Sequence, residues 1–262
     1  MKFLLIFLLQ IPVFSLAIVG GSVIRDGSYR QSVALAFKAV DGATDSQSYC
    51  SGTLIGPRVV ITAAHCLLLG AKAFKVTPEQ FVQRTWIYVG DSPAESAIPF
   101  LKAQYRVQSA IMHPPSDSVY SDLALLVLSE DVDLQKYQIT PAPLAVAKSS
   151  MIGRDLIHVG YGMLENDGPK GTKAFFSLPL RGFNRYNGLE VGVFREDGPG
   201  ACHGDSGGSA YLRDVDGVLK LIAVENSISG PKCGGGATYF VPITEQNIEW
   251  IRSVKLPLFE LR

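Results

Sequence analysis

Short apolar runs broken by turn residues dominate most of this chain. Runs rich in Val, Ile, Leu and aromatic residues end at clusters of Gly, Pro, Asp and Asn, a pattern typical of β-strands joined by turns. No internal repeat and no low-complexity segment interrupts it. The clearest predicted strands are Ser32–Lys38, Arg58–Thr62, Thr85–Gly90, Asp122–Leu128, Leu156–Gly160, Val191–Arg195 and Val218–Val224.

Only the C-terminal segment has a convincing helical pattern. Thr244 is a suitable N-cap, and Glu245 follows where the positive end of a helix favours an acidic residue. Ile248 and Ile251 then recur at helical spacing. These features predict one helix at about residues 244–255.

A change of composition between Ser129 and Ala147 divides the chain into two β-rich halves. Acidic residues and prolines replace the strand pattern there. We expect one half at about residues 18–130 and the other at about residues 145–243. Two closed antiparallel barrels would leave no exposed strand edges, whereas a single β-sandwich is an alternative that the pattern leaves open.

The first 17 residues are typical of a signal peptide. Lys2 gives a positive start, Phe3–Phe14 is mostly apolar, and Ser15-Leu16-Ala17 supplies the small residues of a cleavage site. A membrane anchor is the alternative, but this run is shorter than the roughly 20 residues that a spanning helix needs. We therefore expect export, to the extracellular space or a periplasm, and no membrane association after cleavage.

Composition limits the function classes further. Lys and Arg equal Asp and Glu at 24 each, and no basic stripe with interleaved aromatic residues occurs, so nucleic acid is not an expected partner. The four cysteines are Cys50, Cys66, Cys202 and Cys233, which allow three disulfide pairings. Because no CxxC or HxxxH pair accompanies them, no metal site is expected.

Four segments carry recognisable chemistry. They read Thr62-Ala63-Ala64-His65-Cys66, Ser121-Asp122 before an apolar strand, Gly204-Asp205-Ser206-Gly207-Gly208, and Ile18-Val19-Gly20-Gly21 directly after the predicted cleavage site. In this order the chain resembles the trypsin/chymotrypsin family of serine endopeptidases. The resemblance covers nearly all of the mature chain. It implies an all-β fold of two six-stranded antiparallel Greek-key β-barrels followed by a C-terminal α-helix.

The resemblance also assigns catalytic roles. His65 would be the general base, Ser206 the nucleophile and Asp122 the carboxylate that orients His65. Histidine suits this task because its pKa near 6.5 lets it accept and then donate a proton. The N–H groups of Gly204 and Ser206 would form the oxyanion hole. His113, His158 and His203 lack such flanking sequence and are interpreted as structural.

Maturation and disulfide pairing follow from the same resemblance. The freed amine of Ile18 would pair with Asp205, and signal peptidase itself would create this N-terminus because no propeptide separates Ala17 from Ile18. The implied disulfides join Cys50 to Cys66 and Cys202 to Cys233.

The substrate pocket departs from trypsin. The residue six positions before the nucleophile is Gly200, where trypsins have an aspartate, and Ala201 follows it. Together with Ala237 these small residues favour a pocket for apolar side chains. Alternatively, Glu225 supplies a negative charge from the pocket wall, where Glu225-Asn226-Ser227 replaces the usual Ser-Trp-Gly. An ungapped count places Glu225 against Asp122, so either the alignment slips or Glu225 points away.

The resemblance implies a monomer without a cofactor that acts on polypeptides and meets protein protease inhibitors. A binding protein of the same fold with impaired catalysis is the second interpretation. It is less favoured because all three catalytic residues are present.

Overall fold

The computed structural model describes residues 18–39, 47–90, 103–114, 121–184, 188–193, 198–229, 232–234 and 236–256. The predicted signal peptide lies outside these ranges. Among the described residues, no helix is both long and apolar enough to cross a bilayer.

Six antiparallel strands close the first barrel in the order β2-β3-β4-β7-β6-β5. Pairing of Ala34 with Tyr88 joins β2 to β5 and completes the ring. The strands are β2 Ser32–Phe37, β3 Gln47–Gly56, β4 Val59–Thr62, β5 Thr85–Val89, β6 Ala103–Met112 and β7 Ala124–Leu128.

The second sheet contains six strands and a short added one. The ring order is β9-β10-β13-β12-β11-β8, and β8 also pairs with β9, which joins its two ends. The strand β1, Ser22–Val23, pairs with β9. The six are β8 Asp155–Gly160, β9 Ala174–Asn184, β10 Gly188–Val193, β11 Ser209–Arg213, β12 Leu219–Ile228 and β13 Gly236–Pro242. The predicted fold of two six-stranded antiparallel units with a C-terminal helix is confirmed.

Both faces of β2 are buried, and this explains its unbroken apolar sequence. Val33 and Leu35 face the core of the first barrel, whereas Ala34 and Ala36 pack against Tyr161 from the second. The small alanine side chains let the two barrels approach closely. The barrels therefore share an interface as well as a linker.

Hydroxyl groups complete that interface. The Ser32 hydroxyl lies 2.8 Å from that of Ser209 and 2.9 Å from that of Tyr211, and Thr53 lies 2.6 Å from Ser209. All four side chains are buried, so each hydroxyl finds a partner across the junction. This network holds the start of β11 against the first barrel.

The expectation of a single helix is wrong, because two helices precede the C-terminal one. They are α1 Ala64–Ala73 and α2 Pro78–Gln83. The exposed Leu68 and Leu69 of α1 obscure its periodicity. A stronger signal precedes α2, where Thr77 and Gln80 form a capping box. The C-terminal helix α3 is Glu245–Ser253, and the Thr244 hydroxyl accepts from the Asn247 N–H.

Two predicted strands also have different bounds. The strand expected at Val191–Arg195 is β10, Gly188–Val193, with residues 194 and 195 outside the described ranges. The strand expected to end at Val224 continues to Ile228, because β12 pairs with β13 up to Ile228 and Thr238. Residues 225–227 therefore belong to a strand.

Candidate active site

The loop that contains Ser206 lies at the junction of the two barrels. The Ser51 N–H donates to the carbonyl oxygen of Ser206 at 2.8 Å, and the Ser51 hydroxyl donates to that of Gly204 at 2.9 Å. Ser51 belongs to β3, whereas the loop leads into β11. One barrel thus fixes a loop that the other supplies.

Gly207 determines how closely this loop approaches the first barrel. Its φ is +81°, and an added Cβ would overlap the Thr62 hydroxyl and the Ser51 carbonyl oxygen and lie 3.1 Å from the Ala63 nitrogen. Only glycine suits such a position. The loop therefore packs directly against the segment that leads into His65.

Two hydrogen bonds join His65 to Asp122. The ring Nδ1 lies 2.7 Å from Asp122 Oδ2, and the His65 backbone N–H donates to Oδ1 at 2.7 Å. The second bond also satisfies one of the free N–H groups at the start of α1. An ionised Asp122 favours a proton on Nδ1, which leaves the other ring nitrogen as an acceptor.

Asn226 provides Asp122 with a further donor that sequence reasoning missed. Its Nδ2 donates to Asp122 Oδ2 at 2.5 Å. Burial opposes ionisation of Asp122, but the hydrogen bonds from His65 and Asn226 outweigh it and lower the pKa of this carboxyl. Asp122 is therefore an ionised, fully engaged carboxylate.

A register shift in β12 explains why the sequence count failed here. Glu225 pairs with Phe240 and Ser227 with Tyr239, so Asn226 is the extra residue of a bulge. The ungapped count placed Glu225 against Asp122. In the structure Asn226 makes that contact, and Ser227, predicted to line the pocket, is exposed and donates to Asn226 Oδ1 at 2.9 Å.

Glu225 instead lies buried behind the Ser206 loop, with 2% of its surface exposed. Its N–H donates to the Gly208 carbonyl oxygen, and its own carbonyl oxygen accepts from the Gly207 N–H, both at 2.9 Å. Burial raises the pKa of Glu225 well above its usual value, and the charges of Asp205 and Asp122 raise it further. A hydrogen-bonding interaction with the Ser206 side chain opposes these effects by lowering the pKa of Glu225.

The predicted oxyanion donors are not used in bonds to the described residues. Within the described part of the chain, neither the Gly204 N–H nor the Ser206 N–H has a hydrogen-bond acceptor. Gly204 has a φ of +102°. Lys170, which the sequence analysis did not single out, lies over it, since a Cβ on Gly204 would be 3.0 Å from Lys170 Cδ. A lone lysine in a loop carries no motif that would have revealed this.

Asp205 is completely buried next to the predicted nucleophile. Its carboxyl oxygens accept N–H bonds from Gly162 and Cys202, each at 2.8 Å. Burial raises the pKa of Asp205 to about 7, although these two bonds and the charge of Lys170 lower it. The carboxylate therefore needs more positive charge nearby to remain ionised at neutral pH.

Ile18 is also fully buried and packs in one cluster with Ala201. Its φ is +51°, which is strained for a β-branched residue that a peptide bond precedes. The next residue, Val19, is hydrogen-bonded to the predicted base of the pocket, since the Gly200 N–H donates to the Val19 carbonyl oxygen at 3.0 Å. The predicted N-terminal segment thus lies inserted beside the predicted pocket.

Small buried residues occupy the positions predicted for the base of that pocket. Gly200, Ala201 and Ala237 are buried, and the Ala201 N–H donates to the Thr238 hydroxyl at 3.3 Å. Disulfides join Cys202 to Cys233 in this region and Cys50 to Cys66 beside His65. Residues 230, 231 and 235 lie outside the described ranges.

The other histidines lie apart from this arrangement. His158 is buried between Phe176 and Phe240, His113 contacts the ring of Trp250, and His203 is exposed. No group of three or more His, Cys, Asp or Glu side chains that could hold a metal occurs among the described residues.

Comparison with known proteins decides the family. The sequence profile of the trypsin family matches residues 18–251. The chain belongs to the trypsin family. It is 26% identical over 244 residues to serine protease SP24D of Anopheles gambiae, covering 90% of this chain and 80% of the relative.

Two further trypsin-family relatives show similar identity. Coagulation factor IX of Cavia porcellus is 25% identical over 225 residues, with 79% of this chain and 71% of the relative covered. Phenoloxidase-activating factor 3 of Holotrichia diomphalia is 25% identical over 258 residues, with 90% and 71% covered. The family indicated by the sequence resemblance is confirmed.

Proposed function

We propose that the chain is a secreted serine endopeptidase that cleaves polypeptides through an acyl-enzyme intermediate. The observation that carries this proposal is the carboxylate of Asp122, which binds both the ring and the backbone of His65. Ser206 lies on a loop locked against the segment that leads into His65. This arrangement supports the assignment of Ser206 as nucleophile, His65 as base and Asp122 as orienting carboxylate.

The reaction follows from these positions. The Ser206 oxygen attacks the substrate carbonyl carbon while the free ring nitrogen of His65 takes the hydroxyl proton. The oxyanion that forms accepts hydrogen bonds from the N–H groups of Gly204 and Ser206, each worth about a hundredfold to a thousandfold in rate. As the peptide C–N bond breaks, His65 gives its proton to the leaving amine, and water then hydrolyses the acyl-enzyme by the same steps.

Cleavage before Ile18 is the proposed activating event. A free ammonium at Ile18 would supply the positive charge that the buried Asp205 lacks. Cleavage would also remove the peptide bond that makes the φ of Ile18 strained. Because Ile18 directly follows the predicted signal peptide, signal peptidase would release an active enzyme without a separate zymogen.

The preferred substrate side chain is apolar. Gly200, Ala201 and Ala237 bring no charge to the pocket base, and Glu225 is too buried for a basic side chain to reach. This arrangement supports the apolar pocket over the pocket with a charged wall.

Covalent labelling tests the proposed function. A fluorophosphonate probe should attach to Ser206 of the secreted protein, as peptide mapping would show. Ser206→Ala should abolish labelling and His65→Ala should slow it by about a thousandfold or more. Ser177→Ala, an exposed serine on β9, is the matched control.

N-terminal sequencing of the same sample should begin at Ile18, and any other start contradicts the activation scheme. A correctly folded protein that never labels would instead support a binding protein with impaired catalysis.

A further inference from the structure

Glu225 is a buried acid that the proposed reaction does not use. Its backbone is bonded to Gly207 and Gly208 through both its N–H and its carbonyl oxygen, so it cannot move independently of the Ser206 loop. Its Oε2 is buried and has no hydrogen-bond partner among the described residues. A buried carboxyl with an unsatisfied oxygen is costly as a carboxylate, and its protonated form is strongly favoured.

The charged groups around Glu225 increase this preference. Asp205 acts on it from the Ser206 loop and Asp122 from the segment before β7, and both are acidic. The basic groups of the site are engaged with those two neighbours instead, since the His65 ring bonds to Asp122 and Lys170 acts on Asp205. In the described part of the chain no cation acts on Glu225 itself.

We propose that Glu225 is a positioning residue that works as a neutral acid beside Ser206 and switches the site off when it loses its proton. This inference rests on the proposed function. The Ser206 side chain can hydrogen-bond to this carboxyl, and the protonated form competes with His65 for the Ser206 hydroxyl less strongly than a carboxylate would.

Ionisation reverses this arrangement in two ways. A carboxylate is a stronger acceptor than a neutral acid, so it would draw the Ser206 hydroxyl away from His65. It would also place a negative charge beside the oxyanion that the Gly204 and Ser206 N–H groups stabilise. Both effects slow acylation, and the proton released goes to solvent.

The pH profile of labelling provides the test. The second-order rate of fluorophosphonate labelling would be measured from pH 5 to 10 for the wild type, Glu225→Gln and Glu249→Gln, with each profile divided by its own maximum. The wild type should lose labelling at alkaline pH by about tenfold per pH unit above the controlling pKa. Glu225→Gln, whose amide cannot ionise, should lack this decline or show it at least one pH unit higher.

Glu249 lies exposed on α3 and serves as the control. Glu249→Gln should follow the wild-type profile. Coincident profiles for the wild type and Glu225→Gln would overturn the inference while labelling itself upheld the proposed function. A wild type that labels at no pH would refute the proposed function and the inference with it.

A second measurement covers the case in which Glu225→Gln does not fold. Infrared difference spectra of the wild type and of Asp205→Asn should both show a protonated carboxyl band, which separates Glu225 from the buried Asp205. In the wild type this band should disappear with the same pH midpoint as labelling. A band that persists through that midpoint, or that is absent at neutral pH, would equally overturn the inference.

Discussion

Replacing Asn226 by alanine removes one hydrogen bond from Asp122, the proposed catalytic carboxylate, and leaves the bonds to His65 in place. The Asn226 amide donates to Asp122 Oδ2, the same oxygen that lies 2.7 Å from His65 Nδ1. That oxygen must remain charged and oriented throughout the proposed reaction. The variant should therefore be slower without losing the catalytic residues themselves.

The size of the effect follows from the exposure of Asp122. A hydrogen bond to a charged group contributes about 1.5–3 kcal/mol. Because 17% of the Asp122 side-chain surface is exposed to solvent, a water molecule can replace part of the lost hydrogen bond. We expect a loss of about 1–2 kcal/mol in transition-state stabilisation, or roughly 5- to 30-fold in kcat.

The low-pH decline of the pH–activity profile, its acid limb, should also move to higher pH. Asn226 is one of the groups that lower the pKa of Asp122, so its removal raises that pKa. Because Asp122 must be ionised, the part of the acid decline that comes from Asp122 should occur at a higher pH in Asn226→Ala than in the wild type, in addition to the decline that the general base causes in both.

The assay is kcat and kcat/KM on a peptide substrate across the acid range, with thermal unfolding as a check on the fold. Asn226→Asp should be slower still, since it places a second carboxylate on Asp122. Gln246→Ala, an exposed amide on α3, is the control. An Asn226→Ala enzyme with the wild-type kcat and an unmoved acid limb would refute the role assigned to this bond.

Two further predictions concern stability. Gly207→Ala should lower the free energy of unfolding by about 2 kcal/mol or more in urea titrations, because the new Cβ would sit at a positive φ and overlap neighbouring atoms of the first barrel. Gly217→Ala, with a φ of +80° but open space around it, should lose clearly less stability. Equal losses in the two variants would contradict the packing argument. Burial lowers the pKa of His158 to about 3, below its unfolded value near 6.5, so stability should be complete above about pH 6.5 and decline from there toward pH 3. His158→Gln should flatten that decline, and an unchanged acid limb would exclude His158 as its cause.

Local sequence contained enough information to recognise the family and to propose its catalytic segments. Each motif lies within a few adjacent residues, as in Thr62–Cys66 and Gly204–Gly208, so no knowledge of strand pairing is needed to find it. The strand pattern likewise followed from alternating apolar runs and turn residues. The helix α1 was not predicted because Leu68 and Leu69 face solvent, so its sequence shows no clear polar face.

The contact of Asn226 with Asp122 could not be found in this way. It depends on a bulge in β12, and a bulge is fixed by pairing with β13 and not by the residues that form it. A shift of one residue along a strand exchanges buried and exposed side chains. That shift explains why Glu225 is buried, Asn226 reaches Asp122 and Ser227 faces solvent.

Three carboxyl groups around one serine pose an electrostatic problem, because like charges in a poorly solvated space raise one another's pKa values. The three carboxyls differ in burial and in the donors that they receive. Asp122 receives donors from His65 and Asn226 and stays ionised. Asp205 receives two backbone N–H groups and the field of Lys170, yet burial still raises its pKa to about 7. Glu225 receives neither a cation nor a full set of donors. The order of ionisation is set by how deeply each carboxyl is buried and by how many donors it receives. In the proposed activation a new ammonium at Ile18 would act on Asp205, whose pKa of about 7 means that added positive charge nearby shifts it toward the ionised form.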